Sequence, residues 1–307
     1  MANNESILIT GGAGYIGSML TSVLIGKGYS VTVLDSLQHG IGPISHLLLN
    51  ENFTFVAGDV RDRNLINKLT KSNGIIIPLA ALVGAPICEK NEKLAYETNE
   101  LAIKNLILEL NSNHKLIFLN TNAGYGIGYE DDLCDENSPL NPTSIYGITK
   151  KNAEVAVMNF KNSVSFRLAS VFGCSYRMRD DLLLHFYIRS AMLEKKIEVY
   201  EPTFIRNFVH ILDVTNTIIF AIENFERLKN NIFNVGILNG DITKINIAKK
   251  IKSNIPEIKI NEVVGEKDPD KRNYSVSTKK IESLGCKSLI SLDIGIRELS
   301  IYYKNFR

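Results

Sequence analysis

A short apolar run, Ile7-Leu8-Ile9, leads directly into Gly11-Gly12-Ala13-Gly14-Tyr15-Ile16-Gly17, and a helix-like stretch follows to Gly26. A strand and a helix joined by glycines at Gly-x-x-Gly-x-x-Gly spacing leave few folds open. Gly11 permits the tight turn, Gly14 lets backbone N–H groups approach a pyrophosphate, and Gly17 lets the helix pack close on the sheet. The N-terminus of the helix then faces the phosphates, with Tyr15 and Ile16 as candidate cofactor contacts. The bland alternative is an ordinary βα turn, and the strand-turn-helix context argues against it.

The next strand, Val31 to Leu34, ends at Asp35. A carboxylate there accepts both adenosine ribose hydroxyls and repels a 2′-phosphate, which favours NAD over NADP. Asp59-Val60, at the end of a third strand (Phe53 to Val56), is placed to reach the adenine by the same geometry. The alternation continues through a helix at 64–70, apolar residues 74–79, a helix at 92–111, a strand at 115–119, a helix at 144–160 and a strand at 164–168. Strands separated by helices imply a parallel sheet. The predicted fold class is therefore α/β, a Rossmann-type doubly wound sheet. Beyond Arg167 the pattern loosens, with a helix at 182–194, a helix at 209–224, a strand at 232–235 and a break at Pro256. This last third reads as a smaller C-terminal substrate lobe on the carboxyl ends of the strands, where ligands of such sheets bind. The expected division gives 1–168 plus about 205–235 to the dinucleotide and about 169–204 plus 236–307 to the substrate lobe.

Composition narrows the partners. Hydrophobic residues make up 45% of 307 residues, enough for a substantial core. Thirty-five basic against 33 acidic residues leave a net charge of +2. No basic block points to nucleic acid. Cys88, Cys134, Cys174 and Cys286 lack the spacing of a metal site or a disulfide framework. Reduced thiols and a cytoplasmic location are expected, with neither a signal peptide nor a membrane span at the amino terminus.

Tyr146-Gly147-Ile148-Thr149-Lys150 puts a phenol and an ammonium on one helical face. An unperturbed tyrosine, with a pKa of roughly 10, is a poor base near neutrality unless a positive charge favours its phenolate. Lys150 can supply that charge. The pair carries weight because it follows the glycine loop and a strand-end threonine, Thr121, in the order a dinucleotide-dependent redox site needs.

With these residues in place the chain resembles the extended short-chain dehydrogenase/reductase family, in its nucleotide-sugar epimerase and dehydratase branch. The resemblance runs over nearly the whole chain. It rests on the glycine loop, Asp35, Asp59-Val60, Leu79-Ala80-Ala81, Thr98-Asn99, Thr121 before Tyr125-Gly126, Tyr146-x-x-x-Lys150, and Arg206-Asn207-Phe208-Val209-His210 followed by Asp213. It implies that Tyr146 is the base, that Lys150 binds the nicotinamide ribose and lowers the tyrosine pKa, and that Thr121 bonds the reacting oxygen. It further implies cofactor contacts at Leu79, Ala80, Ala81 and Asn99, and pyrophosphate contacts of the substrate at Arg206 and Arg272. Arg177 and Arg179 are candidates for phosphate or sugar, the guanidinium fork suiting phosphate. His185 and Ser170 stand where many relatives carry asparagines, and Asn122 is a further candidate substrate contact. Relatives that eliminate water carry Asp and Glu after the threonine. Asn122 and Ala123 cannot supply that proton traffic, which leaves oxidation at C4 followed by epimerisation or release.

Residues 120–128 and 83–88 are similar to a bacterial group linked to surface polysaccharides, and within it to GDP-heptose 4-dehydrogenases. The expected enzyme is accordingly an NAD-dependent nucleotide-sugar oxidoreductase acting at C4, in the first place a GDP-heptose-type 4-dehydrogenase of surface-polysaccharide synthesis, with a UDP- or GDP-sugar 4-epimerase as the alternative and a non-catalytic NAD sensor behind both. The resemblance also implies a homodimer paired through helices 92–111 and 144–160.

Overall fold

The computed structural model describes residues 5–127, 133–263 and 273–305. Seven strands form one sheet: β1 (Ile7–Thr10), β2 (Val31–Asp35), β3 (Phe53–Ala57), β4 (Ile75–Pro78), β5 (Lys115–Thr121), β6 (Ser163–Leu168) and Asn231–Val235. Their order is Asn231–Val235, β6, β5, β4, β1, β2, β3. Every neighbouring pair is parallel. β1 and β4 are buried at every position, as expected of strands covered on both faces.

The chain runs outward from β1 to β3 and returns to β4 on the other side of β1, so the topological switch lies between β1 and β4. Ligands of open parallel sheets bind above the carboxyl ends at that point. Gly11 leaves β1 there with φ +74°. A Cβ on it would come within 2.6 Å of the Ala80 nitrogen at the end of β4.

The first helix, Tyr15–Gly26, ends in a Schellman turn. Gly28 adopts φ +84°, its N–H donates to Ile25 O (2.9 Å), and Tyr29 N–H donates to Leu24 O (3.1 Å). On its side of the sheet the core includes Leu20, Leu24, Val33 and Ile218. The opposite face holds Leu8, Phe118, Ala153 and Val157. A second core gathers Phe172, Ile188, Phe208, Ile251 and Ile296 from the C-terminal half. Most of it comes from the stretches expected to form the smaller lobe, but Phe208 from the expected dinucleotide part joins it and Ile281 packs into the first core.

Two elements differ from their sequence expectation. The expected helix over 92–111 is broken into Glu92–Ala95, a π-helical turn at Tyr96–Leu101 and Ala102–Leu108, and is preceded by a helix at Ala85–Lys90. The π turn carries Asn99, whose side chain is tied to Leu82 rather than to its own helix. The expected helix at 209–224 begins at Ile211. Phe208–His210 instead pairs with Ser170–Phe172 as a strand, and the His210 ring caps the helix by accepting from Leu212 N–H (3.2 Å). Among the described residues, no helix is long and apolar enough to cross a membrane.

Candidate active site

The glycine turn is built by backbone proximity. A Cβ on Gly17 would lie 2.2 Å from Gly11 O and 2.7 Å from Gly12 Cα. Gly14 is the N-cap residue, in extended conformation and with no side-chain cap, so the start of the helix is left to backbone donors. Asp35 closes the turn from β2, its Oδ2 accepting from Ala13 N–H (2.9 Å) and Oδ1 from Leu37 N–H (2.8 Å). A carboxylate has about four lone-pair sites, so both oxygens keep capacity for ribose hydroxyls. An uncapped glycine turn with a carboxylate at its flank fits a dinucleotide.

Gly17→Ala tests that fit by its sign. Alanine in a helix interior normally gains about 1 kcal/mol over glycine. Here the methyl meets backbone, so the variant should melt below wild type and lose NAD affinity in a fluorescence titration. A more stable variant with unchanged affinity would show that the close approach is not needed.

Several expected cofactor contacts are placed differently. The Tyr15 ring is buried, and its hydroxyl donates to Gly173 O (2.8 Å), so only its backbone belongs to the glycine turn. Asn99 is 1% exposed. Its Oδ1 accepts from Leu82 N–H (2.7 Å) and its Nδ2 donates to Leu82 O (2.9 Å), so it fixes the Leu79-Ala80-Ala81 loop instead of facing the crevice. Asp59 is gripped by the Arg61 fork (3.0 Å to Oδ1, 2.7 Å to Oδ2), which holds its carboxyl below the usual range. Ile16 and Val60 are half-buried and pack against the two faces' cores.

The expected reacting set, Tyr146, Lys150 and Thr121, rises from β5 and the helix Ile145–Met158 beside it. Ser144 caps that helix by accepting from Gly147 N–H (3.2 Å). Tyr146 is in its first turn and half-buried, packing against the Leu82, Cys88 and Ala95 cluster. Lys150, one turn on, is 6% exposed. Its Nζ donates to Leu119 O of β5 (2.7 Å) and lies 4.1 Å from the Phe118 ring centroid. Burial pushes its pKa down to about 7, with Glu154 opposing the fall. Thr121 ends β5 two residues beyond Leu119, and its Oγ1 accepts from Ala123 N–H (3.1 Å), which leaves the hydroxyl hydrogen to be donated. The helix and the strand end that carry Tyr146, Lys150 and Thr121 are thus joined at Leu119.

Expected substrate contacts divide sharply. Asn122 is 1% exposed. Its amide is satisfied by the next strand, Nδ2 donating to Arg167 O (3.1 Å) and Oδ1 accepting from Ala169 N–H (3.3 Å), so it is a strand clamp and not a sugar contact. His185 is fully buried, accepts from Gly173 N–H at Nε2 (3.1 Å), and has its pKa pushed down to about 4 by burial. It too is internal. Arg177 donates to the His39 ring (3.1 Å) near the Asp35 loop. Burial, and then the Arg177 charge, hold that ring below its ordinary range. Arg179 forks onto Asp181. Ser170 is half-buried, with its N–H donating to Asn207 O (3.1 Å). Arg206 is buried and donates to Ile205 O (2.8 Å). Arg272 and Gly128 lie outside the described residues. Among those described, no group of His, Cys, Asp or Glu could hold a metal.

Sequence reasoning missed Glu154 and Arg167. Glu154 extends the Tyr146, Lys150 series by one more helical turn, a spacing visible in the sequence. Nothing local marks Arg167 as its partner.

A glycine turn at the switch point of a parallel sheet, with a lysine and a threonine converging at the end of β5, defines a dinucleotide-dependent oxidoreductase of the short-chain dehydrogenase/reductase class. Residues 7–236 match the model of the NAD dependent epimerase/dehydratase family. The chain belongs to that family, and its cofactor is NAD. It is 30% identical to a putative UDP-glucose 4-epimerase of Methanocaldococcus jannaschii, over 97% of this chain and 98% of that protein. It is 26% identical to a dTDP-D-glucose 4,6-dehydratase of Dictyostelium discoideum, over 99% of this chain and 82% of the other. The fold is shared with the crystal structure of Thermus thermophilus UDP-glucose 4-epimerase in complex with NAD, at a TM-score of 0.82 and 22% identity over 97% of this chain and 99% of that one.

Proposed function

We propose that the protein oxidises a nucleotide-activated sugar at C4 and returns the hydride to the opposite face, as a 4-epimerase. The observation that carries this is the site's content: a phenol, a buried lysine and a hydroxyl donor, with neither an acid nor a base at the two positions after Thr121. Asn122 and Ala123 are both buried and unable to shuttle the protons that water elimination requires. The full-length similarity to a putative UDP-glucose 4-epimerase favours the same outcome.

In this mechanism Tyr146 removes the C4 hydroxyl proton, Thr121 donates a hydrogen bond to the reacting oxygen, and Lys150 favours the phenolate while contacting the nicotinamide ribose. What NAD supplies when bound is a hydride acceptor. The Gly11, Gly14 and Gly17 turn, with the backbone of Tyr15 and Ile16, would hold its pyrophosphate, and Asp35 its adenosine ribose. Arg206 and Arg272 would take the substrate's phosphates, with Ser170, Arg177 and Arg179 at the rim. The protein's contribution is positioning.

A second reading, net dehydrogenation of a GDP-heptose at C4 in surface-polysaccharide synthesis, is favoured by the similarity of residues 83–88 and 120–128. A cytoplasmic homodimer joined through the helices around residues 92–111 and 144–160 accompanies either reading. One experiment separates them. NAD-loaded protein is offered UDP-, dTDP-, CDP- and GDP-sugars, including a GDP-manno-heptose, with and without a keto-acid acceptor. Isomerisation without acceptor is the expected result. Turnover that requires the acceptor would establish the dehydrogenase instead, loss of water would establish a dehydratase, and silence across the panel would overturn the sugar assignment.

A further inference from the structure

Behind the reacting set, away from the crevice, lies a buried ion pair that the mechanism above does not use. Glu154 and Arg167 are 2% and 4% exposed. Arg167 holds the carboxylate through Nη2 (2.7 Å) and Nε (3.0 Å) at Oε1, and Ser165 Oγ donates to Oε2 (2.7 Å). The remaining arm of the guanidinium, Nη1, donates to Tyr125 Oη (2.9 Å), in the turn that follows Thr121, and Tyr125 Oη donates in turn to Asn234 Oδ1 (2.7 Å). The backbone of Arg167 also receives the Asn122 amide. One side chain therefore connects the helix of Tyr146 and Lys150, the turn of Thr121 and the strand Asn231–Val235.

Stability alone does not explain such a pair, because replacing a buried ion pair by apolar groups of similar volume is often neutral or stabilising. Its location does. Glu154 is one helical turn from Lys150. Other charged or titratable groups packed around this helix are committed elsewhere. Glu100 pairs with Lys104 and Asn152, Lys151 donates to Leu140 O, and the Cys88 thiol, pushed up to about 11 by burial, is neutral. Tyr125, raised chiefly by burial, is neutral as well.

Resting on the assignment of Tyr146, Lys150 and Thr121 as the reacting set, we propose that Glu154, clamped by Arg167, is a positioning residue that keeps Lys150 charged beside Tyr146. Arg167 holds that carboxylate in place and, through Tyr125, ties the Thr121 turn to the same anchor. The test has two readouts on the full-length protein. In [13Cε]-lysine-labelled protein, with the Lys150 resonance assigned by its loss in Lys150→Arg, Glu154→Gln should lower the Lys150 titration midpoint by about one pH unit. Should the unpaired Arg167 prevent folding, Glu154→Gln/Arg167→Met removes both charges and should still lower the midpoint, by less than the single variant because the opposing guanidinium charge leaves with the carboxylate. An unchanged midpoint in the variant that folds overturns the proposal whether or not any sugar turns over.

The second readout is the pH profile of kcat with UDP-glucose, or with whichever panel sugar proves active. The variant should match wild type below the lower Lys150 midpoint, lose about threefold midway between the two midpoints and approach a deficit of about tenfold above the upper one, following the charged fraction of the lysine, with KM unchanged. A uniform loss at every pH marks the pair as structural only and overturns the proposal.

Discussion

Tyr146→Phe should lower turnover by about 10²–10⁴-fold, the range for removing a positioned acid–base group, while NAD affinity and melting temperature stay near wild type. The phenyl ring keeps the packing against Leu82, Cys88 and Ala95. It removes the hydroxyl proposed as the proton acceptor. Stopped-flow detection of reduced nicotinamide under single-turnover conditions separates loss of chemistry from slow product release. Wild-type rates in this variant would move the base to another residue. A parallel collapse of NAD binding would show that the hydroxyl belongs to the cofactor site.

Lys150→Met has the opposite character, with turnover lost and the cofactor-free protein gaining stability. The ammonium is buried, and its folded pKa of about 7 stands below the ordinary value of roughly 10.4. Below about pH 7 the lysine is charged in both states, and the folded state bears the full desolvation penalty. Between pH 7 and roughly 10 the unfolded chain binds more protons than the native one, so wild-type stability rises with pH through that window. The methionine variant therefore melts above wild type at pH 6, by a margin on the order of a few kcal/mol, each tenfold loss of proton affinity on folding costing about 1.4 kcal/mol. That margin shrinks towards pH 10. Thermal melts of the cofactor-free proteins at pH 6 and pH 9.5 check it. A variant less stable at pH 6, or a margin independent of pH, would mean that the Leu119 carbonyl and the Phe118 ring compensate the charge. Under the expected result, the instability is the cost of keeping a cation at this site, as strained or desolvated groups at functional sites often are.

The strands show how much of the fold could be read in advance. Ile7–Thr10, Val31–Asp35 and Ile75–Pro78 are local apolar runs bounded by turns, and each forms where its run lies. The helix after Asn91 could not be read in the same way, because its π turn coincides with Asn99, whose side chain bonds Leu82 outside the helix, a contact no local spacing signals. Candidate site residues divide along the same line. Gly11 and Gly17 act through backbone geometry, and Asp35 through a carboxylate at a strand end, features that short segments encode. Asn122, His185 and Asn99 were chosen for chemistry, yet the amides are taken up by Arg167 and Ala169 and by Leu82, and His185 gives Nε2 to Gly173 while its Nδ1 stays buried without a hydrogen-bond partner among the described residues. A buried amide or imidazole must find a partner or carry the full cost of desolvation. Which partner it finds depends on which strands are neighbours.

The doubly wound sheet, the dinucleotide turn at Gly11 to Gly17 and the pairing of Tyr146 with Lys150 on one helical face were already written in the order of the amino acids, because each follows from spacing along a single element. That Lys150 is desolvated against Leu119 and Phe118, and that Glu154 and Arg167 meet behind it, was settled by packing alone. Those facts depend on β5 and β6 lying side by side beneath the Ile145–Met158 helix. Burial and charge at a site are sums over neighbours distant in the chain, and only the closed fold fixes them.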